Sequence, residues 1–185
     1  LEMVTDEERD YMYRVFAHDK QARINLGIRR RLTPLLGNDR KKIELMYSLL
    51  FSMPGTPVIY YGEEIGMGDN FYLGDRNGVR TPMQWDSSAH AGFTTGKPFI
   101  ELIEGKFGFR QVNTESQMKD PNSLFHALQR MIQIRKQHQA FGRGSLEWLE
   151  TGSPSILACI REYNGETLLL VHNLKDEIQT LKLSG

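Results

Sequence analysis

Cysteine is nearly absent from this 185-residue sequence. Cys159 stands alone, so the chain can form no disulfide within itself, and the composition favours a reducing cytoplasm. The residue falls in the alternating run from Ile156 to Tyr163, which predicts a small core residue rather than a nucleophile. The composition therefore argues against a disulfide-stabilised secreted fold.

An excess of one charge and a long apolar run are also missing. The 23 basic and 23 acidic residues give a formal net charge of zero, which removes the electrostatic basis for binding nucleic acid or an anionic membrane. No apolar stretch approaches the roughly 20 residues that a membrane span requires. The local basic run Arg29-Arg30-Arg31 is interpreted as a solvated helix end.

Helical and strand-like segments succeed each other in the first third of the chain. A capping box at residues 5–8 predicts a helix that runs toward Phe16. Residues 17–37 are predicted to be irregular. Apolar residues at helical spacing over 38–53 predict a second helix, buried on more than one side. The apolar run Val58–Tyr61 then predicts an inner parallel strand covered on both faces.

The middle of the chain predicts a long folded loop followed by a helix. Residues 63–121 show no sustained period, but their aromatic content argues against disorder. A loop packed over a site fits that composition. Pro121 opens a segment with helical spacing that fades near Gly142.

The last part of the chain has the two-residue period of β-strands. Asn164-Gly165 separates two such runs, at 156–163 and 167–171, which predicts a β-hairpin. A final strand is predicted over 178–183. The β part is either a complete small sheet or a sandwich cut short.

Several carboxylates between residues 63 and 86 are candidates for a catalytic role. Glu63 and Glu64 are adjacent in sequence, so on a strand their side chains would point to opposite faces. They could not act together on one bond of a substrate. A structural or supporting role is favoured for both, with one of them facing the mouth of a barrel as a polar support. Asp69, Asp75 and Asp86 are interpreted as turn or cap residues. No calcium-loop spacing occurs, so the sequence predicts neither a metal nor a cofactor.

Two segments resemble the end of the catalytic barrel in the α-amylase superfamily of glycoside-processing enzymes. They are Pro57–Gly66 and the run Asp75–Asp86, which contains Arg-Thr-Pro-Met-Gln-Trp. Within that superfamily the chain is most similar to the trehalose synthases, which interconvert maltose and trehalose. The segments specific to that group are 1–13, 25–32, 66–70 and 135–144.

The resemblance implies a mixed α and β fold made of two parts. Residues 1–143 would be the last βα units and long loop of a partial (β/α)₈ barrel, and 144–185 a small antiparallel β-sheet domain. A complete barrel needs about 250 residues, so the chain cannot hold all of it. Its first residue is Leu, which fits an excerpt or a processed product.

The resemblance also implies which residues take part in chemistry. The three catalytic carboxylates of the superfamily precede the segment that matches Leu1, so no catalytic residue is assigned and the chain is expected to be inactive alone. Arg80 is the one residue assigned to substrate, because the matching arginine reaches the sugar pocket; a structural arginine that ties down the loop is the alternative. Trp85 is interpreted as a core anchor in preference to a stacking platform. The loop from Phe71 to Phe109 is expected to help exclude water from the pocket.

Several alternatives remain open on the sequence alone. The chain is either a piece of such an isomerase or a stand-alone, non-catalytic module that binds carbohydrate or another partner. A piece of an oligo-1,6-glucosidase or sucrose-isomerase-like enzyme fits the same motif. The expected ligand is an α-glucosidic disaccharide, with no nucleic acid or membrane, and barrel surfaces left exposed predict homo-oligomers.

Overall fold

The computed structural model describes residues 1–182 and divides into two compact units. The first unit comprises residues 1–40 and 60–126, and the second comprises 41–59 and the described residues from 127 onward. The fold is mixed α and β with two small antiparallel sheets. None of the helices formed by residues 1–182 combines the length and the apolar composition needed to cross a bilayer.

Helices predominate in the first two thirds of the chain, and the longer strands follow them. In chain order the elements are α1 (Asp6–Phe16), β1 (Arg23–Ile24), β2 (Gly27–Ile28), α2 (Leu32–Leu35), α3 (Arg40–Ser52), α4 (Thr114–Lys119), α5 (Leu124–Gln137), α6 (Gln139–Arg143), β3 (Glu147–Leu149), β4 (Ile156–Tyr163) and β5 (Glu166–Asn173).

Helix α1 begins and ends where the sequence predicts. The Glu8 amide donates to Thr5 Oγ1 at 3.2 Å, and the Thr5 amide donates to the Glu8 carboxylate at 2.8 Å. These two bonds satisfy amides that the first turn of a helix leaves unpaired. The predicted irregular segment after α1 contains the short β1–β2 ladder and α2, which the sequence did not reveal.

The long central loop is folded, as its aromatic content predicts. Its backbone forms four short 3₁₀ turns, at Glu63–Ile65, Asn77–Val79, Ala89–Gly92 and Gly105–Phe107. Ile65, Met67 and Met83 form its buried core. Gly62 has a φ of 83°, and a Cβ there would lie 2.3 Å from Met67 Sδ, so the loop can approach this core closely only through glycine.

The prediction that Arg29, Arg30 and Arg31 form a solvated helix end is wrong. Arg30 Nε lies 2.9 Å from the buried carboxylate of Asp69, and Arg29 donates to the carbonyl of Phe71. Arg31 is 2% exposed. Charge counting did not detect this because the acceptors are mainly backbone carbonyls about 30–50 residues away.

The predicted inner strand over Val58–Tyr61 is not formed. Residues 58–60 have no regular secondary structure and Tyr61 lies in a turn. None of them pairs with a strand among residues 1–182, and Val58 is 81% exposed. A strand requires a neighbour that completes its hydrogen-bond ladder, and the described chain supplies none here.

The helices of the second unit differ from prediction in two respects. In α3, Ile43, Tyr47 and Phe51 are buried as expected, whereas Met46 and Leu50 are exposed. The single helix predicted from Pro121 toward Gly142 is instead the pair α5 and α6, because His138 adopts an extended conformation.

The sheet of the second unit has the order β3–β4–β5, all antiparallel. Asn164 and Gly165 both have positive φ and form the predicted hairpin turn. Strand β3 was not predicted. Residues 178–182 form no strand, and Leu183, the end of that prediction, lies outside the described residues. Cys159 is 1% exposed, which confirms its core position, and burial raises the pKa of its thiol.

Candidate functional site

A cavity of about 490 Å³ in the first unit contains the residue assigned to substrate. Four aromatic side chains contribute to its wall: Tyr61, Trp85, Phe93 and Phe99. Glu64 and Arg80 are its charged lining residues, and the remainder are Thr81, Pro82, Met83 and Ile100. The cavity is therefore largely apolar, with one acidic and one basic group.

Tyr61 is held in the wall at two points. Its hydroxyl donates to the Thr81 carbonyl at 2.8 Å, and its own carbonyl accepts from Arg31 Nη1 at 2.7 Å. The Arg31 guanidinium also lies 5.0 Å from the centre of the Tyr61 ring. Burial is the largest of the effects that raise the pKa of Tyr61.

The segment from Thr81 to Trp85 is fixed by hydrogen bonds beneath the cavity. Gln84 is fully buried, and its side-chain Nε2 donates to the carbonyl of Phe107, at 3.1 Å, and to the carbonyl of Val112. The Trp85 amide donates to Ala91 O, and the Trp85 carbonyl accepts from the Glu115 amide, both at 2.9 Å. These hydrogen bonds thus fix the position of the segment relative to residues before and after the cavity wall.

The Trp85 ring does not have the core position that the sequence favoured. It is 49% exposed and lines the cavity, although its backbone anchors the loop. The identity of the residue could not separate these two roles, because an indole ring serves equally well in a core or on an open apolar wall.

Glu63 and Glu64 have different surroundings. They lie in a 3₁₀ turn rather than on a strand. Glu63 is 9% exposed, and its carboxylate lies 3.2 Å from Arg31 Nη1, so its predicted structural role is confirmed. Glu64 is half-buried and lines the cavity, where it makes no hydrogen bond or ion pair with any residue in 1–182.

Arg80 is exposed at the same cavity. Its amide donates to Asn77 O at 3.0 Å, but its guanidinium has no polar partner among the residues that the structure describes. The alternative role, in which the side chain ties down the loop, finds no contact to support it. Both charged groups are thus available to a ligand.

The other aspartates act within their own turns or pairs. Asp69 accepts from Arg30 and from the Arg31 amide. Asp86 accepts from the amide and hydroxyl of Ser88, and these bonds lower the pKa of its carboxyl. Asp75 has a φ of 49°, as expected for a turn residue. Within 1–182, no three acidic, histidine or cysteine side chains lie close enough to hold a metal ion.

Sequence reasoning named one cavity residue as a ligand group and missed most of the wall. Phe93 and Phe99 were noted only as part of an aromatic loop, and Tyr61 only as part of a strand. The sequence signal was the high number of aromatic residues in a segment without helical or strand periodicity. This signal indicates a folded loop but does not show which aromatic rings face the same cavity.

Comparison with known proteins identifies the family of the chain. The family model "Alpha amylase, catalytic domain" matches residues 25–144. A trehalose synthase of Pimelobacter sp. (strain R48) is 49% identical, over 99% of this chain and 33% of the relative. A trehalose synthase of Thermus thermophilus is also 49% identical, over 99% of this chain and 20% of the relative. The chain thus spans a third or less of these two relatives.

Solved structures give the same assignment. The trehalulose synthase of Pseudomonas mesoacidophila MX-45 superposes with a TM-score of 0.66 at 27% identity, over 82% of this chain and 34% of that protein. The resemblance to trehalose synthases, first seen in short motifs, is confirmed along almost the whole sequence. The chain belongs to the α-amylase family, and the region that matches is its catalytic domain.

Proposed function

We propose that this chain forms one wall of the disaccharide pocket of an α-amylase-superfamily glucosyl isomerase. The reaction is the interconversion of maltose and trehalose by retaining intramolecular transglucosylation. In this proposal Arg80 binds the sugar, Glu64 assists it, and the chain alone does not cleave the glycosidic bond.

The observation that carries the proposal is the composition of the 490 Å³ cavity. A guanidinium offers five donors in a rigid fork and a carboxylate offers acceptors, which together suit the hydroxyls of a sugar. Aromatic side chains pack against the apolar faces of a sugar ring. Sites for small ligands combine such aromatic walls with a few polar groups. Because the side chains of Glu64 and Arg80 have no polar partners within 1–182, a ligand can form hydrogen bonds with both of them without breaking bonds within the protein.

The same cavity supports the proposal that the chain alone is inactive. A retaining mechanism needs two carboxyl groups about 5–5.5 Å apart, one as nucleophile and one as acid/base. Glu64 is the only carboxylate among the described residues that line the cavity. One carboxylate cannot perform both roles in the same step.

The barrel and its boundary remain part of the proposal. We infer that residues 1–143 contribute the last βα units of a (β/α)₈ barrel and that 144–185 start an antiparallel β domain. The family match ends at residue 144, and β3, β4 and β5 all follow it, which supports this division.

The experiment measures maltose and trehalose binding to the 185-residue chain by calorimetry, for wild type and for Arg80→Ala. Hydrogen bonds to charged groups contribute about 1.5–3 kcal/mol, so we expect Arg80→Ala to weaken binding by roughly tenfold or more. Arg110→Ala is the matched control, because Arg110 is exposed but lies outside the cavity. Equal affinities for all three proteins would remove Arg80 from the site.

Activity is measured separately on two polypeptides. The 185-residue chain incubated with maltose should yield no trehalose above the blank, whereas the full product of the reading frame that encodes it should interconvert the two sugars. Trehalose formed by the 185-residue chain would contradict its assignment as inactive.

A stand-alone carbohydrate-binding module is the second candidate function. A cavity with aromatic walls and a single carboxylate also fits binding without catalysis. This candidate predicts the same sugar affinity but no interconversion by the full reading-frame product. If that product instead hydrolyses isomaltose or isomerises sucrose, the chain belongs with an oligo-1,6-glucosidase or a sucrose isomerase.

A further inference from the structure

We propose that the second unit binds an organic phosphate, meaning a phosphate monoester whose other part is a compact apolar or aromatic group. The site is a cavity of about 490 Å³ that is formed only by residues of that unit and is called the basic cavity below. Its lining residues are all different from those of the cavity that contains Arg80. The inference therefore goes beyond the function proposed above and does not depend on it.

The lining of the basic cavity is partly apolar and partly cationic. Four apolar side chains contribute to it: Phe51, Pro57, Ile59 and Ile132. Four basic side chains contribute as well: Arg135, Lys136, His138 and Arg143. No carboxylate of residues 1–182 lines it. Because a cleft whose charged groups share one sign concentrates ions of the opposite sign, this cavity attracts anions although the whole chain has no formal net charge.

Arg135 fixes one positive charge in the wall of the basic cavity. Its Nη1 donates to the carbonyls of Phe51 and Met53, and its Nη2 donates to the carbonyl of Gly55. These acceptors satisfy donors of the guanidinium but do not neutralise its charge. Burial lowers the pKa of Arg135, and Arg161, which also donates only to backbone carbonyls, lowers it further. An anion bound in the cavity would offset this repulsion between the two arginines.

Lys136 and Arg143 supply the charges that a ligand can bind directly. Both side chains are exposed, and neither forms a hydrogen bond or an ion pair with another residue of the described chain. Within 1–182, Glu166 is the one carboxylate bonded to a lining residue, since its Oε1 lies 2.8 Å from His138 Nδ1. Its Oε2 accepts from the Ala140 amide, so both of its oxygens are engaged. The lysine and the arginine are thus available to an anion.

A phosphate monoester fits both parts of this lining. A guanidinium can donate two parallel hydrogen bonds to phosphate oxygens, and an ammonium group contributes a compact positive charge. The apolar side chains favour an apolar group on the same ligand, because its burial removes apolar surface from water. Sites for small ligands have volumes of about 300–1,000 Å³ and combine apolar walls with a few polar groups, as this cavity does. A neutral sugar would leave the cations without a counter-charge.

The first test titrates the 185-residue chain with phenyl phosphate by calorimetry. Inorganic phosphate lacks the apolar group and phenol lacks the charge, so each can occupy only one part of the lining and should bind at least about tenfold more weakly. Benzoate carries a single negative charge on the same ring and should also bind more weakly. Equal affinity for benzoate would overturn the assignment to phosphate, and absence of phenyl phosphate binding at about 10 mM would overturn the site.

Substitutions at the two exposed cations locate the bound phosphate. Lys136→Gln and Arg143→Gln should each weaken phenyl phosphate binding by about tenfold, because each removes a charge-assisted hydrogen bond. Lys175→Gln is the matched control, since Lys175 is an exposed lysine of the same unit that does not line the cavity. An equal loss in all three variants would show that binding depends on overall charge and would contradict the inference. All three positions are exposed, so misfolding does not explain a loss at two of them.

Ile59→Ala tests the apolar part of the lining. It should weaken phenyl phosphate binding by about threefold to tenfold and leave the binding of inorganic phosphate unchanged, because only the phenyl group loses buried apolar contact. Urea unfolding of the same variant checks that the second unit remains folded. Unchanged binding of phenyl phosphate, or an equal loss for both ligands in a folded variant, contradicts the placement of the apolar group.

The same titrations on the full product of the reading frame distinguish a ligand site from a surface that other parts of the polypeptide cover. Binding of phenyl phosphate by that product, again weakened by Lys136→Gln and Arg143→Gln, supports the site. Loss of binding in the longer polypeptide would show that other residues occupy the cavity, which overturns the proposal. Neither result bears on the function proposed above, because maltose binding is measured separately.

Discussion

Buried arginines in each unit bind backbone carbonyl groups. Arg31 donates to the carbonyls of Tyr61 and Val79 in the first unit. Arg161, which is fully buried, donates to those of Ser52, Gly144 and Ser145 in the second. A helix leaves its last carbonyls unpaired, and Ser52 ends α3, so Arg161 completes that helix end.

His172 is a buried histidine that makes the stability of the second unit depend on pH. His172 is 7% exposed, its Nε2 lies 3.1 Å from Ser52 Oγ, and its Nδ1 lies 3.4 Å from Ser48 Oγ. Burial lowers the pKa of His172. As pH falls below about 6.5, the unfolded chain binds a proton that the folded side chain does not accept, so the free energy of unfolding decreases.

The prediction is tested by urea unfolding followed by circular dichroism at about pH 7.5 and about pH 5. His172→Asn keeps a group that can bond the serine hydroxyls but does not titrate, so the decrease between these pH values should become smaller. His18→Asn, at an exposed position, is the control. The pKa of Glu166 is also lowered, mainly by the Ala140 amide, but its contribution is lost only below about pH 4.3. An unchanged decrease in His172→Asn would show that another group is responsible.

At the scale of elements, local signals predicted well and long-range ones did not. The Thr5–Glu8 capping box and the Asn164-Gly165 turn each depend on residues within four positions, and both formed as predicted. The strand at Val58–Tyr61 depends on a neighbouring strand, which no local pattern can supply. The aromatic cavity wall combines residues from Tyr61 to Ile100, and their convergence is likewise set by tertiary packing.

The hairpin turn provides a prediction with a matched control elsewhere in the same unit. Gly165 has a φ of 83°, so Gly165→Ala should destabilise the second unit by about 1–2 kcal/mol, the cost of a left-handed conformation for an L-residue. Gly142 lies within α6 without positive φ, and a Cβ there meets nothing within 4 Å. Gly142→Ala should therefore stabilise the unit by about 0.4–1 kcal/mol. Urea unfolding of the two variants should shift in opposite directions, and a shift of Gly165→Ala toward higher stability would contradict the turn geometry.

At the scale of the whole molecule, the described chain exposes many large apolar side chains. Met46, Leu50 and Val58 are all exposed in the second unit. In the same unit the outward face of β5 presents Leu169 and Val171, which are 45% and 46% exposed. All of these side chains except Val58 lie on helices or strands, where neighbouring residues keep them at fixed positions.

Such surfaces favour association between copies of the chain, because contiguous exposed apolar area is unfavourable in water. We expect the weight-average mass in sedimentation equilibrium to rise with concentration. Leu169→Lys should reduce this rise, because it removes apolar area from the outward face of β5 and adds repulsion between copies. Thr167→Lys adds the same charge on the same face without removing a large apolar side chain. If both variants reduce association equally, the added charge alone is responsible. If the wild-type chain stays monomeric at all concentrations, the exposed faces do not drive assembly, and the expectation of homo-oligomers is wrong.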